Sequence, residues 1–228
     1  MNSNINISNR LKTIGDFVKN NSKVIDVGCD HGLLSIYIYL NKKNVRIIAS
    51  DINEKPLSEA RKNLKKYNLE DKIELRLSNG IKNYTSNEFD TLIISGLGGV
   101  TISNIVNEDK DKLENTKNII IQSNNNIPMI RKVISKLNYK ITNEKLVKEN
   151  NIIYTIIVFE KSNKKIRYKK EDLFIGPILK NSNDEYLKEY LRQEIKKRGN
   201  ILSKIPKKYI FKRLKIKKEI NLYHKSLK

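Results

Sequence analysis

Seven residues, Asp26 to Gly32 (DVGCDHG), place two glycines, two carboxylates, an imidazole and a thiol within one turn of chain. Glycines at such a turn let a ligand approach the backbone closely. The spacing is GxxxG and not the GxGxxG of dinucleotide sites, and Asp26 stands two positions before the first glycine. An acid at that position suits a ligand with an amino group better than one with a pyrophosphate. The run therefore predicts a small-molecule site.

Two later segments extend this prediction. Asp51 comes 19 residues after Gly32, where a carboxylate can accept both hydroxyls of a ribose. The run Ser78 to Gly80 (SNG) stands where sheets of this kind contact an adenine ring. NAD-dependent enzymes share the acid, so Asp51 alone does not discriminate between ligands. In this order and with the amino-binding acid, the segments predict S-adenosyl-L-methionine as the cofactor.

A third segment, Ser95 to Gly99 (SGLGG), follows a predicted strand on the side where a substrate should enter. It contacts the ligands, or it is a glycine turn that lets a helix pack closely. The predicted cofactor contacts are Asp26, Gly28, Cys29, Asp30, His31, Gly32, Asp51, Ile52, Ser78, Asn79, Gly80, Ser95, Gly96 and Leu97. Gly98 and Gly99 are assigned to the substrate.

The absence of two motifs limits the kinds of atom that could accept the methyl group. No Asp/Asn-Pro-Pro-aromatic sequence follows the fourth predicted strand, which disfavours methylation of an exocyclic amine. Cys29 belongs to the cofactor loop, so no cysteine is placed to attack a pyrimidine ring, which argues against carbon-5 chemistry. A ring nitrogen already has a lone pair and requires little more than positioning and a proton acceptor. The sequence therefore favours a ring nitrogen as acceptor.

The elements that must position these residues alternate between strands and helices. Strands are predicted at 24–27, 45–49, 73–77, 91–94 and 118–121, and helices begin near Ser8, Leu33, Pro56, Gly99 and Pro128. Residues 139–147 and 152–159 are predicted to form a hairpin with an Asn150-Asn151 turn. The predicted fold class is α/β: a class I methyltransferase Rossmann-like sheet, parallel with a closing antiparallel hairpin, followed by a C-terminal helical hairpin or coiled coil.

Positive charge is concentrated in the last part of the chain. The formal net charge is +21, and residues 161–228 hold 22 Lys and Arg against 7 Asp and Glu. Residues 161–170 are predicted to be a basic connector, 183–202 a helix with Leu187, Leu191 and Ile195 on one face, and a second helix starts at Pro206. An uneven basic excess indicates a polyanionic partner, and a merely solvated charged surface is the alternative.

The cysteine count and the distribution of apolar residues indicate where in the cell the protein is expected. A single cysteine excludes an internal disulfide and fits a reducing environment, no apolar run is long enough to span a bilayer, and the start of the chain is polar. The sequence has no His/Cys cluster with the spacing of metal ligands. We expect a cytoplasmic monomer that binds neither a metal nor a membrane.

The same segments resemble one family. Residues 26–31, 49–53, 95–99, 121–124 and 153–158, with Gly176-Pro177 and the Leu187 to Leu202 helix, are similar to bacterial tRNA adenine-N1-methyltransferases that modify adenine 22 in the D-loop. The similarity runs through essentially the whole chain, including that family's C-terminal coiled coil. Leu97 stands where methionine is usual, and Ser123 where proline is usual after Gln122. These departures affect the shape of the substrate pocket.

The resemblance implies a mechanism. Adenine N1 must be unpaired or turned out of its stack, and its lone pair then attacks the sulfonium methyl in line. Asp30 and His31 are the candidate catalytic groups for proton removal, although Asp30 could instead bind the cofactor and His31 could orient backbone. The predicted contacts to tRNA, the implied partner, are Gly98, Gly99, Gln122, Asn124, Lys197, Arg198, Lys208 and Arg213.

We divide the chain into a catalytic domain, residues 1–160, and a basic helical domain, residues 161–228. Two other hypotheses stay open at this point. The chain could be a methyltransferase for another RNA, a small molecule or a protein, whose basic tail reflects composition alone. It could also be a non-catalytic RNA-binding protein with a decayed cofactor fold. The intact glycines and Asp51 argue against the latter.

Overall fold

A seven-stranded sheet organises the fold, and the computed structural model describes residues 5–227. Its strands are β1 (Lys23–Val27), β2 (Arg46–Asp51), β3 (Ile73–Leu77), β4 (Thr91–Leu97), β5 (Asn118–Ser123), β6 (Tyr139–Glu149) and β7 (Ile152–Lys161). Their order is β3-β2-β1-β4-β5-β7-β6. The first five pair in parallel, and β7 lies antiparallel to both β5 and β6. The predicted sheet with its closing hairpin is confirmed.

Eight helices accompany the strands in the described part of the chain. They are α1 (Asn9–Asp16), α2 (Leu33–Asn41), α3 (Glu54–Lys66), α4 (Gly99–Glu108), α5 (Ile127–Lys136), α6 (Lys170–Ile175), α7 (Leu187–Lys204) and α8 (Ile210–Lys225). The Ser8 hydroxyl caps α1 as predicted by accepting from Leu11 N. Three helix starts are wrong: α3 begins two residues before Pro56, α7 begins four residues after position 183, and α8 begins four residues after Pro206. The sequence reading also missed α6, which ends the supposed connector.

Helices cover both faces of the sheet, and its central strands are therefore buried along nearly their whole length. One face holds α1, α2 and α3 through residues such as Ile14, Ile36 and Leu64. The other face holds α4 and α5 through Ile102 and Ile134. The carboxyl ends of β1, β2 and β4 therefore emerge at one edge between the two helical layers, where doubly wound sheets bind ligands.

The hairpin of β6 and β7 turns where the sequence predicted. Asn150 and Asn151 have φ values of 47° and 61°, the left-handed backbone that Asn tolerates and that a two-residue hairpin turn requires. This hairpin covers the edge of β5 on one side and carries the C-terminal helices on the other.

The C-terminal helices are packed against the hairpin. Leu146 of β6 and Ile153 of β7 share a buried cluster with five residues of the segment 161–228, hereafter the tail: Ile175, Leu179, Tyr190, Leu191 and Tyr223. Beneath this cluster a fully buried ion pair joins Arg131 of α5 to Glu144 of β6. The C-terminal helices are therefore anchored to the β6–β7 hairpin through shared core, and a cut after Phe159 would expose that core.

Candidate functional site

A cavity of about 310 Å³ opens at the carboxyl ends of β1, β2 and β4. It is lined by Arg10, Leu11, Asp26, Gly28, Cys29, Asp30, His31, Leu33, Leu34, Asp51, Ser95, Gly96 and Leu97. Three segments that are distant in sequence thus meet at one space, because parallel strands deliver their loops to the same edge. Nine of the fourteen predicted cofactor contacts line it.

Asp26 is the buried acid of the cavity. Only 1 % of the residue is exposed, and its Oδ2 accepts a hydrogen bond of 2.8 Å from the Ser35 hydroxyl at the start of α2. Burial raises the pKa of Asp26 to about 6; the Ser35 bond lowers it, and the negative charge of Asp51 raises it further. Because burial disfavours the charged form of this carboxyl group, a positively charged ligand beside it would stabilise that form.

The loop after β1 is shaped by left-handed residues. Gly28 and Asp30 have φ values of 73° and 50°, which carry the chain around the cavity and turn Asp30 to its mouth. The glycine turn was expected to present its backbone to a ligand. The N–H groups of Gly28 and Cys29 instead both donate to Ser50 O, so they cannot donate to a ligand. The open donors lie instead at the N-terminus of α2, where Gly32 offers no side-chain cap.

Three carboxylates surround the cavity. Asp51 accepts from Asn53 N at 3.0 Å, which fixes its side chain at the end of β2. Asp30 lies at the mouth with its Oδ2 3.5 Å from His31 Nε2, and both side chains are more than half exposed. Together with Asp26 they create a negative field in a concave site, which favours a ligand with positive charge.

Cys29 is buried beside these acids. Burial first, and then the charges of Asp26 and Asp51, raise the pKa of its thiol far above the usual range. The thiolate form is therefore suppressed at neutral pH. This supports the prediction that Cys29 lines the cofactor loop and is not a nucleophile.

Five predicted cofactor residues do not line this cavity: Gly32, Ile52, Ser78, Asn79 and Gly80. The Ser78 hydroxyl is used within its own turn, where it donates to Gly80 O. At Gly80 a Cβ would lie 2.9 Å from the Ile105 side chain, so that glycine serves packing against α4. Ile52, which follows β2, is 57 % exposed, and Leu77, which pairs with Asp51 at the end of β3, is 50 % exposed. These two aliphatic groups offer a flat ring an apolar contact.

A cluster of amide side chains holds the loop after β4. Gln122 is fully buried at the end of β5, and its Oε1 accepts from Gly96 N at 3.0 Å. Asn124 Nδ2 donates to Gly96 O at 2.6 Å, so both backbone groups of Gly96 are held by side chains. Gly96 lies at a β-bulge with a φ of 77°, which turns the loop towards the cavity. Gln122 and Asn124 thus position the loop.

The glycines that follow have different roles. Gly99 N donates to Asn125 Oδ1, and a Cβ at Gly99 would lie 2.7 Å from Asn125 O and 2.8 Å from Asn126 Cβ. The alternative of a packing glycine therefore holds for Gly99, whereas Gly98 has room for a side chain. Ser123, which stands where the family resemblance places proline, donates its single hydroxyl proton to Asn125 O at 2.7 Å, and Leu97 O lies 3.2 Å from the same hydroxyl oxygen.

Sequence reasoning missed Arg10. This residue of α1 reaches the cavity from the opposite side, and its Nη1 donates to Gln122 Oε1 at 2.6 Å. Its guanidinium lies 5.2 Å above the Tyr154 ring, and its backbone N–H donates to Glu149. Helical spacing gave α1 but not its position across the sheet, so nothing local in the sequence marked Arg10.

The four basic residues predicted to contact tRNA lie in the tail in two kinds of environment. Lys197 and Lys208 are exposed. Arg198 instead lies between α7 and α8, where it pairs with Glu194 and Glu219 and stacks 4.6 Å above the Tyr223 ring. Arg213 donates to Leu202 O and Ile205 O at the link. We therefore revise the prediction for both arginines, because their donors hold the hairpin together.

Within residues 5–227 no helix is long and apolar enough to cross a membrane. The same residues contain no group of three or more His, Cys, Asp or Glu side chains arranged for a metal ion.

Comparisons with known proteins agree on one group. Residues 24–225 match the family model described as TrmK, tRNA (adenine(22)-N(1))-methyltransferase. The Bacillus subtilis tRNA (adenine(22)-N(1))-methyltransferase is 29% identical over 194 residues, covering 83% of this chain and 82% of that one. A Streptococcus pneumoniae protein solved with S-adenosyl-L-methionine superposes with a TM-score of 0.87 at 26% identity, covering 98% and 100% of the two chains. M. capricolum TrmK, solved with S-adenosyl-homocysteine, gives a TM-score of 0.82 at 31% identity, covering 97% of each chain.

Proposed function

This chain belongs to the tRNA (adenine(22)-N(1))-methyltransferase family, and from that premise we propose that it transfers a methyl group from S-adenosyl-L-methionine to N1 of adenine 22 in the tRNA D-loop. The observation that carries the proposal is the cavity in which Asp26, Asp30 and Asp51 converge beside the loop after β4. Three carboxylates fit a cofactor that carries a sulfonium and an amino group. They would repel the pyrophosphate of a dinucleotide.

The residues present divide the cofactor between them. Asp26 is placed to attract the amino group, the open N-terminus of α2 to receive the carboxylate, and Asp51 to accept from the ribose. Ile52 and Leu77 offer apolar contact to the adenine ring. When bound, the cofactor supplies an electrophilic methyl group on a positively charged sulfur.

The target base enters on the side of the β4 loop. Ser95, Gly96 and Leu97 separate the cofactor cavity from the amide cluster of Gln122 and Asn124, so this loop can align N1 with the methyl group. Because the ring nitrogen is already nucleophilic, positioning supplies most of the rate. Asp30, at the exposed mouth, can stabilise the positive charge that the adenine gains or accept its proton, and His31 lies 3.5 Å from it.

A single assay tests this function. Purified protein, S-adenosyl-L-methionine and unmodified tRNA are incubated, and reverse transcription then maps stops. We expect a strong stop at position 22 and none in a tRNA with guanine at that position. Incorporation into no RNA, or a stop elsewhere, would contradict the proposal. The outcome also separates it from the other hypotheses, since a decayed cofactor fold would bind tRNA without transferring a methyl group.

The exposed lysines of the tail should determine how tRNA affinity depends on salt. Lys207, Lys208 and Lys215 are exposed, and the ion pairs of the described chain do not include them. Replacing all three by Gln should reduce the slope of log affinity against log salt by about 2, because each lost phosphate contact removes ~0.7–0.9. Filter binding of tRNA between low and high salt measures this slope.

The matched control is a triple Gln variant of three exposed lysines on the catalytic part, Lys65, Lys66 and Lys72. It removes the same charge and should leave the slope unchanged. Equal slopes for the two triple variants would mean that net charge, and not the tail, provides the affinity.

We also propose that the protein works as a metal-free monomer in the cytoplasm.

A further inference from the structure

The hairpin tip is the part of the tail with the largest exposed apolar surface. We define it as Ile201, Tyr209, Ile210, Phe211 and Leu214, which lie at the end of α7, in the link and at the start of α8. Each is at least 47 % exposed, and Phe211 reaches 89 %. A cluster of this kind on an otherwise charged helical hairpin marks a contact site, since scattered single exposed residues would not group at one end.

The charge around the tip indicates the occupant. Residues 199–218 contain eight Lys and Arg and no Asp or Glu. Lys208 Nζ lies 5.4 Å from the centre of the Tyr209 ring, so cation and aromatic face are presented together. Two copies of this tip would repel each other, which disfavours self-association. A polyanion with exposed flat rings satisfies both the charge and the apolar surface.

The tip is also held in one shape. Arg213 donates to Leu202 O and Ile205 O, which satisfies carbonyl groups at the end of α7, and Tyr209 N donates to Pro206 O in the link. The exposed rings therefore sit on a fixed turn, so binding orders few backbone groups.

We propose that the hairpin tip is a base-stacking platform, with Phe211 as its central ring, that binds an unpaired nucleobase of the tRNA away from the methylated adenine. The remoteness follows from helix length. Leu191 is buried against β6 and β7, and Lys204 ends α7 thirteen residues later, roughly 20 Å along the helix axis. The platform would hold the tRNA at a second point, so that shape as well as the target base selects the substrate. This inference rests on the proposed function, since it takes tRNA as the substrate.

The test compares Phe211→Ala, Phe211→Leu and Phe211→Trp in the full chain. Stacking on one base contributes ~1–3 kcal/mol by alanine substitution, so Phe211→Ala should weaken tRNA binding roughly 5- to 150-fold. Phe211→Leu keeps apolar area without a flat ring and should lose most of that affinity, whereas Phe211→Trp should stay within about twofold of the parent. The KM for tRNA should rise in parallel, with the KM for S-adenosyl-L-methionine unchanged.

Ile152→Ala is the matched control, because Ile152 is 51 % exposed on the β6–β7 hairpin and should leave tRNA affinity unchanged. Unchanged binding in Phe211→Ala overturns the inference, as does Phe211→Leu behaving like the parent. A dimer in sedimentation that Phe211→Ala converts to monomer without loss of tRNA affinity would identify a self-interface and overturn it too. The parent protein could methylate no tRNA while the Phe211 variants still show the expected order of RNA affinities. In that case the proposed function fails and the platform stands.

Discussion

Replacing Arg131 by Ala should lower the free energy of unfolding by about 3–5 kcal/mol, because it removes the countercharge of the buried Glu144 carboxylate. The ion pair is also a hydrogen-bond centre. Arg131 donates 2.7 Å to Glu144 and further to the carbonyls of Leu173, Phe174 and Ile175, and Glu144 Oε2 accepts from Ile178 N and Leu179 N. Losing Arg131 therefore releases the start of the tail as well. Chemical denaturation and limited proteolysis across residues 161–186 measure both effects.

A double variant distinguishes an ion pair from this larger role. Apolar replacement of a buried pair is often neutral, so Arg131→Met with Glu144→Leu would restore stability if the two charges only compensated each other. We expect no restoration, since carbonyl and amide groups of residues 173–179 would stay buried without partners. Arg131→Lys should be intermediate, because one ammonium cannot serve the separate acceptors that the guanidinium reaches. A fully stable double variant would contradict this account.

The Arg131–Glu144 pair also illustrates what sequence patterns could not supply. Arg131 stands in a helix whose apolar positions were predicted, and Glu144 in a strand of alternating character, yet a charged residue in either element is expected at the surface. Their burial depends on α6, which is too short for its apolar pattern to predict a helix. The tail's attachment thus follows from tertiary contacts between segments more than thirty residues apart.

The sheet was predictable for the opposite reason. Each parallel strand contains a short run of apolar residues, and β1, β2 and β4 have a glycine or an acid at their carboxyl ends, so residues and element order pointed to the same edge. Asp26, Gly28 and Asp51 were found in this way. Arg10 and Leu77 were not, because their contribution comes from how α1 and β3 lie against that edge. The ion pair of Arg198 was not predicted either, because a run of basic residues does not reveal which of them faces Glu219.

Asp26→Asn should raise the stability of the cofactor-free protein while it weakens cofactor binding. Asp26 has a pKa of about 6 in the folded chain against 3.8 as a free side chain, so the folded state binds its proton more tightly than the unfolded state. The penalty is absent below about pH 4 and complete above about pH 6, where two pKa units correspond to ~3 kcal/mol. We expect Asp26→Asn to be more stable than the parent at pH 8 by up to that amount, and equal at pH 4. Denaturation at the two pH values measures this.

Cofactor binding should show the reverse dependence. A cationic ligand beside Asp26 lowers the pKa of that carboxyl, so binding at pH 6 releases protons, and affinity falls as pH decreases below about 6. Calorimetry in buffers with different ionisation enthalpies detects the released protons. Asp26→Asn should bind S-adenosyl-L-methionine about 100-fold more weakly at pH 7, a loss of ~2.7 kcal/mol that is typical of a charge-assisted contact, and its affinity should not fall as the pH decreases through about 6.

Asp51→Asn is the control for this experiment. It removes another carboxylate of the same cavity and should also weaken binding, but it leaves Asp26 to titrate. The pH dependence should therefore persist and shift slightly lower, because the charge of Asp51 helps to raise the pKa of Asp26. If Asp26→Asn kept the parent's affinity and pH profile, the buried carboxylate would not be the group that attracts the cofactor. A stability gain at pH 8 would then mean that the buried charge of Asp26 destabilises the protein for the sake of a contact other than the one with the cofactor.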